Sequence, residues 1–141
     1  MAINMKKAVK DYIGAWNSHE VDKIASFFTD DCVYEDLAAG IVNRGKKELK
    51  DFIKATFIWS PDLKFELKSF FGAGDQIASE WAMTGTHAGE FGGLPATGKS
   101  FSLRGASIQE LREGKICRNS DYYNAASFLQ QVGLLPETPS Q

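Results

Sequence analysis

Residues 80–87 read Glu-Trp-Ala-Met-Thr-Gly-Thr-His, and apolar and polar side chains alternate along them. This period of two predicts a β-strand with one face toward a core. Trp81, Met83 and His87 then share one face, whereas the intervening polar residues lie on the other. An imidazole beside an indole and a thioether is either buried against a polar partner or lines a pocket.

The periodicity changes in the middle of the chain. Apolar residues recur at helical spacing in the first part, and the period becomes two after residue 63. The expected elements are helices at 5–16, 21–28, 46–59 and 125–132, and strands at 32–36, 63–71, 76–87, 101–111 and 116–123. Helices followed by long neighbouring strands predict an α+β fold with a curved, mostly antiparallel sheet wrapped around the N-terminal helices. The helices can cover only part of the concave face, so a central pocket is expected.

Length and composition narrow the class of protein. The 141 residues suit one domain, expected over 1–133, with 134–141 as a C-terminal tail. With 43% hydrophobic and 24% charged residues, the composition is typical of a globular protein. A net charge of −2 gives no basic footprint for nucleic acid, and no apolar run is long enough to span a bilayer. Neither a nucleic acid nor a membrane is therefore an expected partner.

Two further features predict a cytoplasmic protein. The first twelve residues are charged and amphipathic, unlike the apolar core of a signal peptide. Cys32 and Cys117 are isolated thiols without a disulfide pattern, as expected for reduced core residues. The two histidines, His19 and His87, share no metal-ligand spacing, so we expect neither a metal nor another cofactor.

Short motifs along almost the whole chain resemble those of a known family. They are Ala-Trp-Asn-Ser-His at 15–19, Asp-Cys-Val-Tyr-Glu-Asp at 31–36, Gly-Thr-His at 85–87, Pro-Ala-Thr-Gly-Lys at 95–99, Gly-Lys-Ile at 114–116 and Asp-Tyr-Tyr at 121–123. With this order of elements, the chain resembles the nuclear transport factor 2-like cone fold. Within that fold it resembles the SnoaL-like group, which includes the polyketide cyclases. The resemblance implies a cone-shaped domain with a central pocket.

The resemblance also implies an acid/base role for Asp121. Cyclases of this group use an aspartate at a matching position with a histidine beside it, for which this chain supplies His87. In an apolar pocket the pKa of Asp121 would rise, and the carboxyl could exchange protons with a carbonyl or an enol. From the residues alone, Asp121 could instead assist the start of the last helix or pair with Arg118. His87 could likewise be a core histidine bonded to a backbone carbonyl.

Arg104 and Glu35 are candidates for contacting a substrate. A mid-strand arginine lies either on the wet face, paired with a carboxylate such as Glu80, or inside against Asp121 or Glu35. Limonene epoxide hydrolases, which share the fold, use an Asp-Arg-Asp arrangement, and this chain shows no second matching aspartate at that strand. Adjacent strand residues face opposite ways, and we expect Glu35 to face the pocket and Asp36 to protect a strand edge.

Large side chains are expected to wall the pocket. The candidates that we place there are Trp16, Trp81, Met83 and Tyr123. The glycine-rich loop at 88–99 lacks the strand-to-helix context of a phosphate cradle, so we expect it to form a mobile mouth or an interface. No nucleophile elbow for acyl transfer is present in the sequence.

Two main functions stay open at this point. The first is a cofactor-independent enzyme that acts on a small, mostly apolar carbonyl compound by aldol cyclisation or isomerisation, with Asp121 as proton shuttle and His87 as its helper. The second is a non-catalytic ligand-binding or dimerisation module, and epoxide hydrolysis is a further alternative. Burial of Asp121 beside His87 would favour the enzyme, and exposure beside Arg118 the module. A homodimer is expected in either case, because the outer sheet face exposes residues such as Ile108 and Leu111.

Overall fold

The computed structural model describes residues 4–136, and their helices and strands alternate in an α+β order. In chain order the elements are α1 (Met5–Ser18), α2 (Val21–Ala25), β1 (Phe28–Asp36), β2 (Ile41–Arg44), α3 (Gly45–Trp59), β3 (Lys64–Ala73), β4 (Gln76–Thr86), β5 (Ser100–Arg112), β6 (Lys115–Tyr123) and α4 (Ala125–Gln131). Four helices and six strands thus stand in the described part of the chain, and the predicted fold class is confirmed.

Polar side chains cap two of the helices. The Asn4 carboxamide accepts a hydrogen bond from the Lys7 backbone N–H at 3.1 Å and begins α1. The helix ends at Ser18, and the capping residue His19 that follows has a left-handed φ of 61°. The Asn124 side chain caps α4 in the same way, by accepting from the Ser127 N–H at 3.0 Å. These caps fix where the first and last helices meet the sheet.

Two elements differ from the sequence-based expectation. The helix expected over 21–28 ends at Ala25, and Phe28 begins a longer β1. Helical spacing from Ile24 had placed Phe28 on the same apolar face, but the fully buried ring belongs to the strand. Strand β2 was not predicted, because it is only four residues long and mostly exposed.

One sheet holds all the described strands, in the order β2-β1-β6-β5-β4-β3. Neighbouring pairs are antiparallel except β1 and β6, which run parallel. The parallel pair places Asp36 level with Asp121, and β5 places Ser107 level with the same Asp121. Side chains that are far apart in sequence therefore meet on one row of the sheet.

Two buried clusters fill the space between the helices and the sheet. One joins α1, α2 and α3 to β1 and includes Trp16 and Tyr34. The other joins β4 and β5 to α4 and includes Trp81. Phe57 and Phe65 pack against both clusters. The concave face is left uncovered where the clusters meet, as the predicted central pocket requires.

The outer face of the sheet and the end of the chain are only partly as expected. Ile108 is exposed on the outer face, but the expectation for Leu111 is wrong. Leu111 packs against the first cluster, because alternation along β5 places it on the same face as the buried Ser107 and Gln109. Leu134 packs against the second cluster, and its N–H donates to the Leu129 carbonyl at 2.8 Å. The boundary at 133 stays a prediction, and residues 137–141 of the expected tail lie outside the described residues.

Within 4–136, no helix is both long and apolar enough to cross a membrane.

Gly105 offers a test of how the site is packed. A Cβ at this position would lie 2.3 Å from the Trp81 ring, so Gly105→Ala should displace the indole and destabilise the fold by about 1–3 kcal/mol. Gly14→Ala is the matched control, since a Cβ there meets nothing within 4 Å and alanine favours the helix by about 1 kcal/mol. Urea unfolding of both variants checks the prediction. Equal stability of the Gly105 variant and the wild type would show that Trp81 is not constrained there.

Candidate active site

A row of polar side chains crosses the apolar concave face. Register pairing places Asp36, Asp121, Ser107 and Ser79 level with one another on β1, β6, β5 and β4. Three of them, Asp121, Ser107 and Ser79, line a cavity of about 30 Å³, together with Trp16 and other apolar side chains. A polar row inside an apolar cone is costly unless its members bond one another.

Asp121 is the centre of this row and accepts three hydrogen bonds. The Tyr34 hydroxyl donates to Oδ2 in a very short contact. The Ser107 hydroxyl and the Asn119 carboxamide both donate to Oδ1, at 2.6 and 2.8 Å. An ionised carboxylate offers about four acceptor positions. Counting donors among the described residues therefore leaves one acceptor position on Oδ2 unused, and Asp121 lines the cavity.

A second layer of hydrogen bonds orients two of these donors. The Trp81 indole N–H donates to the Ser107 oxygen at 2.9 Å, so the Ser107 hydrogen is free to point at Asp121. The Gln109 carboxamide donates to the Asn119 oxygen at 2.9 Å, which turns the Asn119 NH₂ toward Asp121. The carboxyl is thus held in one orientation by a network whose outer members do not touch it.

The surroundings of Asp121 bring its pKa close to neutral pH. The pKa of Asp121 is raised from 3.8 to about 6, and burial is the largest cause. The hydrogen bonds from Ser107, Tyr34 and Asn119 lower the pKa, whereas the charge of Asp36 raises it further. Burial also raises the pKa of Tyr34 well above its usual value, and the charge of Asp121 raises it further. Tyr34 therefore stays a protonated donor while Asp121 exchanges its proton.

Asp36 is a second buried carboxyl in the site, contrary to expectation. It accepts hydrogen bonds from the Tyr123 hydroxyl at 3.0 Å and from the Ala39 N–H at 2.9 Å, and burial raises its pKa. Glu35, the expected pocket residue, points the other way, where the Arg118 guanidinium lies 3.3 Å from it. The alternation of buried Cys32, Tyr34 and Asp36 could have revealed this face.

A second cavity of about 50 Å³ adjoins the first and contains both carboxyls. Trp16, Tyr34, Phe65, Trp81 and Asp121 line both cavities. The second cavity is also lined by Asp36, Met83 and Tyr123. All four residues expected as walls, namely Trp16, Trp81, Met83 and Tyr123, thus lie on the cavity surface.

His87 does not meet Asp121 in this structure. It is fully buried, its Nδ1 lies 3.2 Å from the Thr97 hydroxyl, and it lines neither cavity. Its Nε2 has no hydrogen-bond partner among the described residues. The polar row crosses β4 at Ser79, and eight residues of extended strand carry His87 roughly 26 Å farther along. Strand parity correctly predicts its face but not its position along the strand.

Arg104 and Arg118 also lie away from the carboxyls. Arg104 is on the outer face, with its guanidinium 4.0 Å from Glu80 and its side chain 70% exposed. The Asp-Arg-Asp arrangement of the hydrolase alternative is therefore not formed. Arg118 pairs with Glu35 and Glu110, so the alternative ion pair with Asp121 is not formed either. Within residues 4–136, no three His, Cys, Asp or Glu side chains lie close enough together to hold a metal ion.

The fold and the site together define a cone-shaped α+β domain with a partly buried, hydrogen-bonded carboxyl in a small, mostly apolar cavity. The chain belongs to the SnoaL-like polyketide cyclase family, whose model matches residues 6–132. It is 32% identical to cyclase aurE from Calcarisporium arbuscula over 104 residues, which cover 73% of this chain and 74% of that protein. Family and relative support a cyclase-like function in general.

Solved structures show the same fold. AclR from Streptomyces galilaeus matches with a TM-score of 0.80 at 25% identity, covering 95% of this chain and 83% of that one. A protein with a ketosteroid isomerase-like fold from Catenulispora acidiphila matches with a TM-score of 0.81 at 23% identity, covering 94% and 97%. These likenesses confirm the predicted cone fold, and the chemistry has to be argued from the site.

The raised pKa of Asp121 predicts a pH-dependent effect of Asp121→Asn on stability. The folded-state value of about 6 exceeds the ordinary 3.8, so the folded protein keeps a proton that the unfolded chain loses in this window. The free energy of unfolding of the wild type therefore falls as pH rises through it. Asparagine cannot ionise, so the free energy of unfolding of the variant should not fall in this way. Relative to the wild type, it should rise between pH 4 and pH 8 by at most about 3 kcal/mol.

Urea unfolding at both pH values measures this difference. Asp11→Asn is the matched control, because Asp11 is an exposed residue of α1 that pairs only with Lys7 among the described residues. Its effect should change little with pH. A stability difference for Asp121→Asn that is the same at pH 4 and pH 8 would contradict the raised pKa.

Proposed function

We propose that this protein is a cofactor-free acid/base enzyme that cyclises or isomerises a small, mostly apolar carbonyl compound, with Asp121 as its proton shuttle. The observation that carries the proposal is the Asp121 carboxyl itself. It is held by three donors, its pKa is near neutrality, and it lines a mostly apolar cavity with one acceptor position unused. Proton-transfer groups work best when their pKa lies near the working pH.

The proposed step begins with ionised Asp121. Oδ2 removes a proton from the carbon next to a substrate carbonyl, which leaves an enolate. In an aldol closure, the enolate carbon forms a bond to a second carbonyl carbon of the same molecule. The oxygen of that second carbonyl then takes the proton back from Asp121, so the carboxylate is regenerated. In an isomerisation, the proton returns to another carbon of the enolate system instead.

The rest of the network serves this step in the proposal. Ser107, Asn119 and Tyr34 fix the carboxyl, so it does not need to reorient when its charge changes. The Trp16 and Trp81 rings exclude water from the reacting carbons and hold a flat substrate against Oδ2. His87 has no part in this proposal, because its ring lines neither cavity.

Exchange of substrate protons with heavy water tests the proton shuttle without knowledge of the natural substrate. Methyl ketones from butan-2-one to decan-2-one carry protons beside the carbonyl, and their replacement by deuterium is followed by proton NMR. The wild type should accelerate exchange above buffer for at least one ketone, and the rate should rise through about pH 6 as Asp121 ionises. Asp121→Asn should lower the accelerated rate at least 100-fold.

Two controls separate chemistry from folding in this assay. Asp11→Asn removes an exposed carboxylate and should leave the exchange rate unchanged. Tyr34→Phe removes one donor to Asp121, so its pH profile should shift to higher pH while exchange persists. The proposal fails if the wild type accelerates no ketone, or if folded Asp121→Asn is as fast as the wild type.

We also propose a cytoplasmic homodimer. Both cysteines are free thiols, as is usual in a reducing compartment. Phe71 and Ile108 are 74% and 45% exposed on the outer sheet face, and both lie level with Ala78. Such an apolar row is suited to pairing with a second copy.

Light scattering tests the proposed dimer. The wild type should have twice the mass of one chain at micromolar concentration, and Ile108→Glu should shift it to the mass of a single chain. Ile58→Glu is the control, because Ile58 is also exposed but lies on α3. A wild-type monomer, or an Ile108→Glu dimer, would contradict this interface.

A further inference from the structure

A third cavity lies outside the site described above and is about five times as large as the inner one. Its volume is about 240 Å³, against about 50 Å³ for the cavity that holds both carboxyls. It is formed by the loop after β1, the glycine-rich loop and α4, through residues such as Ala38, Ile41, Leu94, Ala125 and Leu129. None of its lining residues is charged.

Two aromatic rings separate this outer cavity from the inner one. Phe91 and Tyr123 line both. The Tyr123 hydroxyl donates to Asp36 on the inner side, so the outer cavity meets its ring. Phe91 packs edge-on against Trp59 and Phe128, with ring centroids 4.9 and 5.3 Å apart. A molecule that occupies both cavities would therefore contact both of these rings.

The two compartments differ in what they can bind. A cavity needs about 10–15 Å³ per water molecule, so the inner one has room for only a few heavy atoms around Asp36 and Asp121. The outer one has room for several times as many, and its lining is mostly apolar and carries no charged side chain. A ligand that fills both therefore has a small polar head and a larger apolar body.

We propose that the substrate is an elongated, uncharged molecule whose enolisable carbonyl head lies at Asp121 and whose apolar tail fills the outer cavity. The assignment of the head rests on the proposed function, whereas the assignment of the tail rests on the shape and lining of the outer cavity. A compact, polar or charged-tailed carbonyl compound would leave this cavity empty or place a charge in it without a partner.

The dissociation constants of the same methyl ketones, measured by calorimetry, test this assignment. Each added methylene that enters an apolar cavity should tighten binding by about fourfold. Affinity should therefore rise steeply from butan-2-one to decan-2-one in the wild type. Ala125→Phe fills the outer cavity and should flatten the series while leaving butan-2-one binding unchanged.

Ala126→Phe is the matched control, because Ala126 is the next residue of α4, is exposed and does not line the cavity. It should keep the wild-type series. Ala38→Phe fills the cavity from the opposite wall and serves if Ala125→Phe does not give a cooperative thermal transition. Flattening by one of these cavity-filling variants, with the control unaffected, is the expected result.

The outcomes separate this inference from the proposed function. A wild-type series without chain-length dependence, or one that both folded cavity-filling variants preserve, overturns the outer tail site even if Asp121 catalyses exchange. Conversely, a steep series that the filling variants abolish supports the tail site even when no ketone is exchanged. In that case the acid/base proposal fails, and the protein is an apolar-ligand binder.

Discussion

The structure depends on how the partly buried carboxyl of Asp121 is solvated. Three donors of the protein take the place of part of its water. With burial alone the carboxyl would stay neutral, and with the donors alone it would stay ionised. The two effects leave its pKa at about 6, where both forms are accessible near neutral pH. Ser107 and Asn119 can act in this way only because Trp81 and Gln109 fix their orientation.

The sheet topology is what makes this solvation possible. Asp121 finds its partners on three strands, β1, β5 and β6, which the antiparallel β5–β6 hairpin and the parallel β1–β6 pair place side by side. Gly105 lies level with Trp81 on the neighbouring strand, and its missing Cβ leaves room for the indole. The Trp81 ring can then reach Ser107 and form the cavity wall at the same time. The packing of the cavity wall and the hydrogen bonds to Asp121 therefore depend on the same residues, Gly105, Trp81 and Ser107.

Local patterns of the sequence predict the faces of the strands but not the distances between residues. Period-two alternation placed Trp81 and Met83 on the inner face, where they are buried. The same alternation placed His87 inward but could not show that it lies far along β4 from the polar row. The sequence places Asp36 on an exposed edge because the pattern at 32–36 is that of a short edge strand, whereas β1 is longer and lies between β2 and β6. Asn119 shares a face with Asp121 by alternation along β6, but the donors Tyr34 and Ser107 come from β1 and β5, and no local pattern joins residues so distant in sequence.

Asp36 and Asp121 also influence each other, and this shapes what the site can do. Burial is the main reason that the pKa of each is raised, and the negative charge of Asp36 raises that of Asp121 further. Full ionisation of both carboxyls is therefore disfavoured, and loss of a proton from one makes the other hold its proton more tightly. The two side chains lie level with each other on neighbouring strands and line the same cavity. In the proposed aldol closure Asp121 serves both proton transfers, since it takes a proton from carbon and returns it to the carbonyl oxygen. The parallel pairing of β1 with β6 sets the two side chains level, and the charge of Asp36 thereby helps to bring the pKa of Asp121 to about 6.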